Sequence, residues 1–134
     1  MLNDLFLGTP ALNYRPLSGH NMLRLLELRP GNRNDPICCH FREVSITSPL
    51  LYNALSYNWG SSTERIPILC DDAVIEVTCS LFTALNRLRD PVKTLTIWVD
   101  ALCINQGDLE EKRQQVKMMR NIYAKANTIT VWLG

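Results

Sequence analysis

The apolar and polar positions of this chain follow two different periods, and each change of period predicts the boundary of an element. Short runs of apolar, β-prone residues predict strands at 22–28, 37–46, 52–59, 66–77, 95–99 and 128–133. Residues 80–89 and 109–126 instead repeat apolar side chains every three or four positions, which predicts amphipathic helices. The chain therefore carries both element types, and their order decides the fold class.

The N-terminal part of this pattern predicts a pair of antiparallel strands. Residues 22–28 and 37–46 are separated by a Pro-Gly turn and a polar stretch, so we expect them to pair with each other. The alternation in the second run shifts between Phe41 and Val44, which indicates a β-bulge. Residues 1–20 are rich in Pro, Gly and Asn and are interpreted as an irregular lead-in.

The remaining elements predict an α/β fold, with a mostly parallel βαβαβ sheet flanked by helices. Residues 66–77 are interpreted as a short β-hairpin insertion. Ser80 fits the N-cap of the first helix, and Asp108 with Glu111 resembles a capping box at the start of the second. Crossovers of this length join parallel strands. We therefore expect parallel strands at 52–59, 95–99 and 128–133, the last of them buried.

Composition and charge exclude several classes of function. The chain has 134 residues, which is the size of one domain, and its net charge is +1 with basic residues scattered among acids. Nucleic acid is therefore not expected as a partner. No stretch approaches the ~18 consecutive apolar residues of a membrane span, and no secretory signal opens the chain. We expect a cytoplasmic protein without a membrane span.

The cysteines predict neither disulfides nor a metal site. Five cysteines form an odd set without CxxC spacing, so we expect reduced, buried thiols. Cys38 and His40 could share one face of a strand, but nothing nearby completes a metal site. Cys103 is a conceivable nucleophile, yet no histidine lies near it in the sequence.

Polar and aromatic residues follow two of the predicted parallel strands, at the edge where α/β proteins bind ligands. Because these groups suit stacking and hydrogen bonding, they predict a nucleotide-like ligand rather than a glycine-lined phosphate site. The candidate ligand-binding residues are Ser56, Tyr57, Asn58, Trp59, Gly60, Asp100, Asn105 and Gln106.

Each of these residues also has a structural interpretation. Asp100, Asn105 and Gln106 could brace the loops that carry them, and Trp59 could be a core or lid residue. Glu111 could be only the third residue of a helix cap. Both interpretations stay open at this point.

Two blocks of the sequence resemble a known family. The first is YNALSYNWG at residues 52–60, and the second is WVDALCINQ at residues 98–106, followed by Glu111, Arg113 and the closing VWLG. Together they closely resemble the fungal heterokaryon incompatibility (HET) domain, over about nine tenths of the chain. The domain would then cover residues 21–134, with a truncated C-terminus as one expectation.

The resemblance implies an effector or signalling module in fungal non-self recognition and programmed cell death, acting by self-association or with other incompatibility proteins. HET domains have also been likened to TIR domains, some of which cleave NAD as a substrate. That likeness implies a glycohydrolase as the alternative, with no bound cofactor and with Glu111 as its catalytic candidate. Whether the chain is an enzyme is left open by the sequence.

Overall fold

Five strands precede the two longer helices, and two further strands follow them in turn, along residues 6–60 and 63–133, the part of the chain that the computed structural model describes. The strands are β1 (Met22–Leu28), β2 (Cys38–Ser45), β3 (Asn53–Tyr57), β4 (Arg65–Cys70), β5 (Ala73–Thr78), β6 (Leu95–Trp98) and β7 (Thr128–Trp132). The helices are α1 (Cys79–Leu88), the short α2 (Asp100–Cys103) and α3 (Leu109–Lys125). The α/β class is confirmed.

The strands form one seven-stranded sheet in the order β5-β4-β2-β1-β6-β3-β7. β3 lies between β6 and β7 and runs parallel to both, which confirms the predicted parallel set. β1 is antiparallel to β2 and to β6. β4 is antiparallel to β5 and parallel to β2. The antiparallel N-terminal pair and the hairpin are therefore confirmed as well.

The prediction of a mostly parallel sheet is wrong, because the sheet is mixed and its antiparallel ladders together join more residue pairs than its parallel ladders do. The β1–β2 ladder runs from Met22↔Ser45 to Leu28↔Cys39, whereas β2 and β4 share only two residue pairs. β1 is buried on both faces and so takes a central place beside β6. Periodicity reports how each segment is buried, and it does not report which neighbour that segment pairs with.

Two local predictions also need correction. The β1–β2 register continues without interruption through Phe41 and Val44, so the predicted bulge is absent from this ladder. The N-cap of α1 is Thr78 rather than Ser80, because the Thr78 side chain accepts the Leu81 N–H. The hairpin turn is made by Asp71 and Asp72, whose φ angles of 53° and 61° are ones that Asp tolerates.

β7 is the edge strand of the sheet and is not the buried strand that its apolar sequence predicts. Ile129 is 54% exposed and Val131 is 62% exposed, while Trp132 is half-buried and packs against the core. An apolar run reports β-propensity and only indirectly reports burial. Here β3 covers one edge of β7, and no described strand covers the other.

The two longer helices cover opposite faces of the parallel strands. Tyr52 donates a short hydrogen bond of 2.5 Å to the Ile122 carbonyl in α3, so the even-numbered side chains of β3 face that helix. Tyr57 has the opposite parity and lies against Thr78, the cap of α1. Among residues 6–60 and 63–133, no helix has the length and apolar character needed to cross a bilayer.

Candidate functional site

The ends of β3 and β6 meet at one edge of the sheet, as the parallel arrangement predicts. The register places Ala54 beside Trp98. Two residues further along each strand, Ser56 and Asp100 therefore reach the same level. Asp100 is the first residue of α2 and is half-buried. This edge, with the side chains around Ser56 and Asp100, is called the strand-end cluster below.

Two aromatic rings flank the strand-end cluster on the face of the sheet that α1 covers. The rings of Tyr57 and Trp59 stack, with 6.3 Å between their centroids and 10° between their planes. Trp59 is 46% exposed, and its side chain donates toward the Asp100 carboxylate. A half-exposed aromatic pair beside a carboxylate can stack on a flat ring and accept a hydrogen bond from it.

Ser56 and Tyr123 flank the strand-end cluster on the opposite face of the sheet, which α3 covers. Ser56 is half-buried, and its side chain lies close enough to the Tyr123 hydroxyl to lower the pKa of that group. The Tyr123 ring packs edge-on against Trp98, at 5.5 Å and 81°. Tyr123 belongs to the apolar stripe of α3, so its helical spacing predicts a core residue. The presence of a hydroxyl in that stripe is the only feature of the sequence that indicates a role in the cluster.

The electrostatics of the strand-end cluster disfavour a charge on Asp100. Burial raises the pKa of Asp100 above its ordinary value of 3.8, and hydrogen bonds from the Ala101 backbone and the Trp59 side chain offset this only in part. Burial likewise raises the pKa of Tyr57 and of Tyr123, and the nearby Asp100 carboxylate adds to both shifts. Because the ionised carboxylate is only partly solvated, a hydrogen bond donated by a ligand would stabilise it.

The other candidate residues brace loops. Asn58 accepts the Gly60 N–H at 3.0 Å, and Gly60 has a φ of 70°, which favours glycine. Asn105 accepts the Gly107 N–H at 3.1 Å. Gln106 donates to the Asp100 main-chain carbonyl at 2.9 Å, so it supports the cluster from behind.

Glu111 belongs to a buried ion pair that the sequence pattern does not indicate. Its two carboxylate oxygens bind the two terminal nitrogens of Arg24 at 2.6 and 2.7 Å, and both residues are buried. Oε2 also accepts the Asn105 N–H at 2.6 Å. The Glu111 N–H meets the Asp108 carboxylate at 3.1 Å, which is the expected cap contact.

Arg24 extends this ion pair into a wider network. Its guanidinium also donates to the Cys103 and Arg15 carbonyls, at 2.9 Å each, and stands over the Tyr14 ring at 4.9 Å. An arginine inside the apolar run of β1 was itself a signal, because a buried charge requires a partner. The sequence could not identify that partner.

The cysteines are free thiols. Cys103 is fully buried, and burial raises its pKa to about 12, so a reactive thiolate at neutral pH is strongly disfavoured. Within residues 6–60 and 63–133, no group of three or more His, Cys, Asp or Glu side chains is placed to hold a metal ion.

Replacing Asp100 by Asn should stabilise the fold at neutral pH. The folded-state pKa of Asp100 is raised, so the ionised form opposes folding, and the native state gains stability as the pH falls through that pKa. Urea unfolding of both proteins at about pH 7 and about pH 4 should show an advantage of the variant that shrinks at the lower pH.

Asp90 provides a matched control of opposite sign. Hydrogen bonds from the Val92 and Lys93 backbones lower its pKa, so its charge favours folding above the ordinary pKa, and Asp90→Asn should lose stability at neutral pH. A loss of stability at neutral pH in Asp100→Asn would show instead that the Asp100 carboxylate holds the loop together.

Comparison with known proteins places both sequence blocks inside one family. The family model described as heterokaryon incompatibility protein (HET) matches residues 52–134. The chain is also similar to heterokaryon incompatibility protein 6, OR allele, of Neurospora crassa, with 39% identity over 127 aligned residues. That alignment covers 84% of this chain and 18% of the relative. No solved structure matches the chain.

Proposed function

Because this chain belongs to the heterokaryon incompatibility (HET) family, we propose that it is an effector module of fungal non-self recognition whose action leads to programmed cell death. Both the family model and the Neurospora relative support this assignment. The chain spans less than a fifth of that relative's length, so the activity proposed here is that of the module. We further propose that it acts in the cytoplasm, through self-association or with other incompatibility proteins.

The observation that carries this proposal is the meeting of the two family blocks at one place in the fold. The first block supplies Ser56, Tyr57 and Trp59, and the second supplies Asp100, although about forty residues separate them in the sequence. Trp59 is half-exposed and Asp100 is only partly solvated, so both keep capacity for a ligand or partner. We propose the strand-end cluster as the working site of the module.

The surroundings of Glu111 give no support to the NAD-cleaving alternative. A glycohydrolase needs a carboxylate that can reach the sugar next to the scissile bond. The Glu111 carboxylate is buried and already accepts three hydrogen bonds, from Arg24 and from the Asn105 N–H. We propose that Glu111 is structural in this chain and that NAD is not its substrate.

The test is inducible expression of the chain in a filamentous fungus, with hyphal viability as the readout. We expect the wild-type chain to reduce viability. We expect Trp59→Ala to require about a tenfold higher dose for the same loss of viability. That factor corresponds to the loss of an interaction worth ~1.4 kcal/mol. Arg113→Ala is the matched control, because Arg113 is exposed on α3 and pairs only loosely with Glu110 at 3.7 Å.

Two outcomes would contradict these proposals. Undiminished killing by Trp59→Ala, at equal protein level, would remove the strand-end cluster from the function. Nicotinamide release from NAD by the purified chain would restore the enzymatic alternative. Trp59→Ala should keep the wild-type melting temperature to within a few degrees, because nearly half of that side chain is already in solvent.

A further inference from the structure

Part of β2 has an open, unpaired edge, because β4 pairs with only a short part of the strand. β2 pairs with β1 from Cys39 to Ser45, but with β4 only at Cys38 and Cys39. β4 ends at Cys70, and the chain then turns back into β5 through Asp71 and Asp72. In the described part of the chain, no strand flanks the far side of β2 beyond this turn.

The backbone groups of this open edge follow from the β1–β2 register. The Arg29 N–H donates to the Cys38 carbonyl at 3.0 Å, and the Ile46 N–H donates to the Asn21 carbonyl at 2.8 Å. Because bonded pairs alternate in an antiparallel ladder, the N–H and C=O groups of Phe41 and Glu43 point away from β1. Asp71 Oδ1 accepts the Phe41 N–H at 3.1 Å. The Glu43 backbone has no such cap among the described residues.

A groove of about 870 Å³ lies along this edge. Residues 10–13 line one side, and the turn at Asp71 and Asp72 lines the other. Its floor includes the stacked rings of Tyr14 and Phe41, with centroids 5.4 Å apart. The floor is fixed, because the Tyr14 hydroxyl donates to the Leu102 carbonyl at 2.7 Å. This space, together with the open edge of β2, is called the β2 groove.

The charges that line the β2 groove are mainly acidic. Glu43, Asp71 and Asp72 are all exposed at its rim. Arg24 also lines the groove, but its charge is neutralised by Glu111. Arg15 is the exposed cation of the lining, and the half-buried His40 lies 3.5 Å from the Asp71 carboxylate. The field in the groove therefore favours cationic side chains.

We propose that the β2 groove binds an extended, basic peptide segment of a partner protein, which adds to β2 as a further strand. The Glu43 backbone supplies the ladder hydrogen bonds, the acidic rim selects Lys and Arg, and the Tyr14–Phe41 floor takes apolar side chains. The β2 groove shares no lining residue with the strand-end cluster. This proposal therefore goes beyond the function proposed above and can fail without it.

Backbone hydrogen exchange, followed by NMR on the whole chain, tests the proposal directly. The probe is a short capped peptide of alternating valine and lysine. We expect the Glu43 amide to exchange at least roughly tenfold more slowly when the peptide is present. The amides of Arg42 and Val44 point toward β1 and serve as internal controls, protected with or without peptide.

Three comparisons decide whether the peptide binds as proposed. A valine–glutamate peptide should bind much more weakly, and N-methylation of the lysine peptide on its ladder-forming amides should abolish protection of Glu43. Asp72→Asn should weaken binding about two- to fivefold, as expected for an exposed ion pair. Glu76→Gln should leave it unchanged, because Glu76 is exposed on β5 outside the groove.

The opposite results would overturn the proposal. These are no detectable binding of the lysine peptide, equal binding of the glutamate or N-methylated peptides, or binding that leaves exchange at Glu43 unaltered. The cell-death assay on Trp59 is independent of these measurements, so a failure here leaves the strand-end cluster untouched.

Discussion

Arg24→Met is expected to lower the free energy of unfolding by about 3–5 kcal/mol, because it leaves the Glu111 carboxylate buried without its counter-charge. The pair is bidentate at 2.6 and 2.7 Å, and both side chains are almost fully buried. The variant also loses the donors to the Cys103 and Arg15 carbonyls. Urea unfolding at neutral pH measures the effect, which is a large part of a domain's total stability.

A double variant separates the loss of the pair from the loss of packing. Arg24→Met combined with Glu111→Leu should recover much of the stability, since replacing a buried pair by apolar residues is often neutral. Arg113→Met, in an exposed pair with Glu110, should change stability by less than about 0.5 kcal/mol. A cost below ~1 kcal/mol for Arg24→Met would show that water reaches the pair in solution.

The Arg24–Glu111 pair also changes how activity data on Glu111 must be interpreted. Glu111→Gln removes a charge that Arg24 requires, so it should destabilise the fold whether or not Glu111 has any chemical role. Loss of an activity in that variant would not identify a catalytic residue. A variant of the exposed Trp59 avoids this ambiguity, because Trp59 lies outside the buried network.

The sequence predicted those parts of the fold that depend on local periodicity. The parallel orientation of β3, β6 and β7 followed from strands that alternate with helices, and the hairpin followed from the β-prone residues 66–77. The merging of all strands into one mixed sheet did not follow. It depends on β1, whose burial on both faces places it between β2 and β6.

The candidate site was predictable to the same degree. Ser56 and Asp100 could be placed together because the ends of parallel strands share one edge of a sheet. Tyr123 was missed, because a tyrosine on the apolar stripe of a helix has the same pattern as a core residue. Arg24 could be recognised as buried but not paired, since Glu111 lies 87 positions away in the sequence. A contact between two single polar residues that are far apart in the sequence produces no periodic pattern from which it could be predicted.

The three tryptophans show how the same residue type takes different roles in this fold. Trp98 is fully buried on β6, Trp59 is 46% exposed at the end of β3, and Trp132 is half-buried on the edge strand β7. The apolar sequence around Trp132 predicted that the strand at 128–133 is buried. The sheet order shows why Trp132 is shallower, because among the residues that the structure describes only β3 flanks β7.

Trp98→Ala is therefore expected to cost about 3–5 kcal/mol of unfolding free energy, as for other aromatic truncations in a core. Trp132→Ala should cost less, about 1–2 kcal/mol, because it removes less buried apolar area. Chemical denaturation at several protein concentrations measures both. Equal costs would contradict the edge position of Trp132. A Trp132→Ala cost that grows with protein concentration would instead show that a second copy covers the exposed Ile129 and Val131 face of β7, since stability then depends on association.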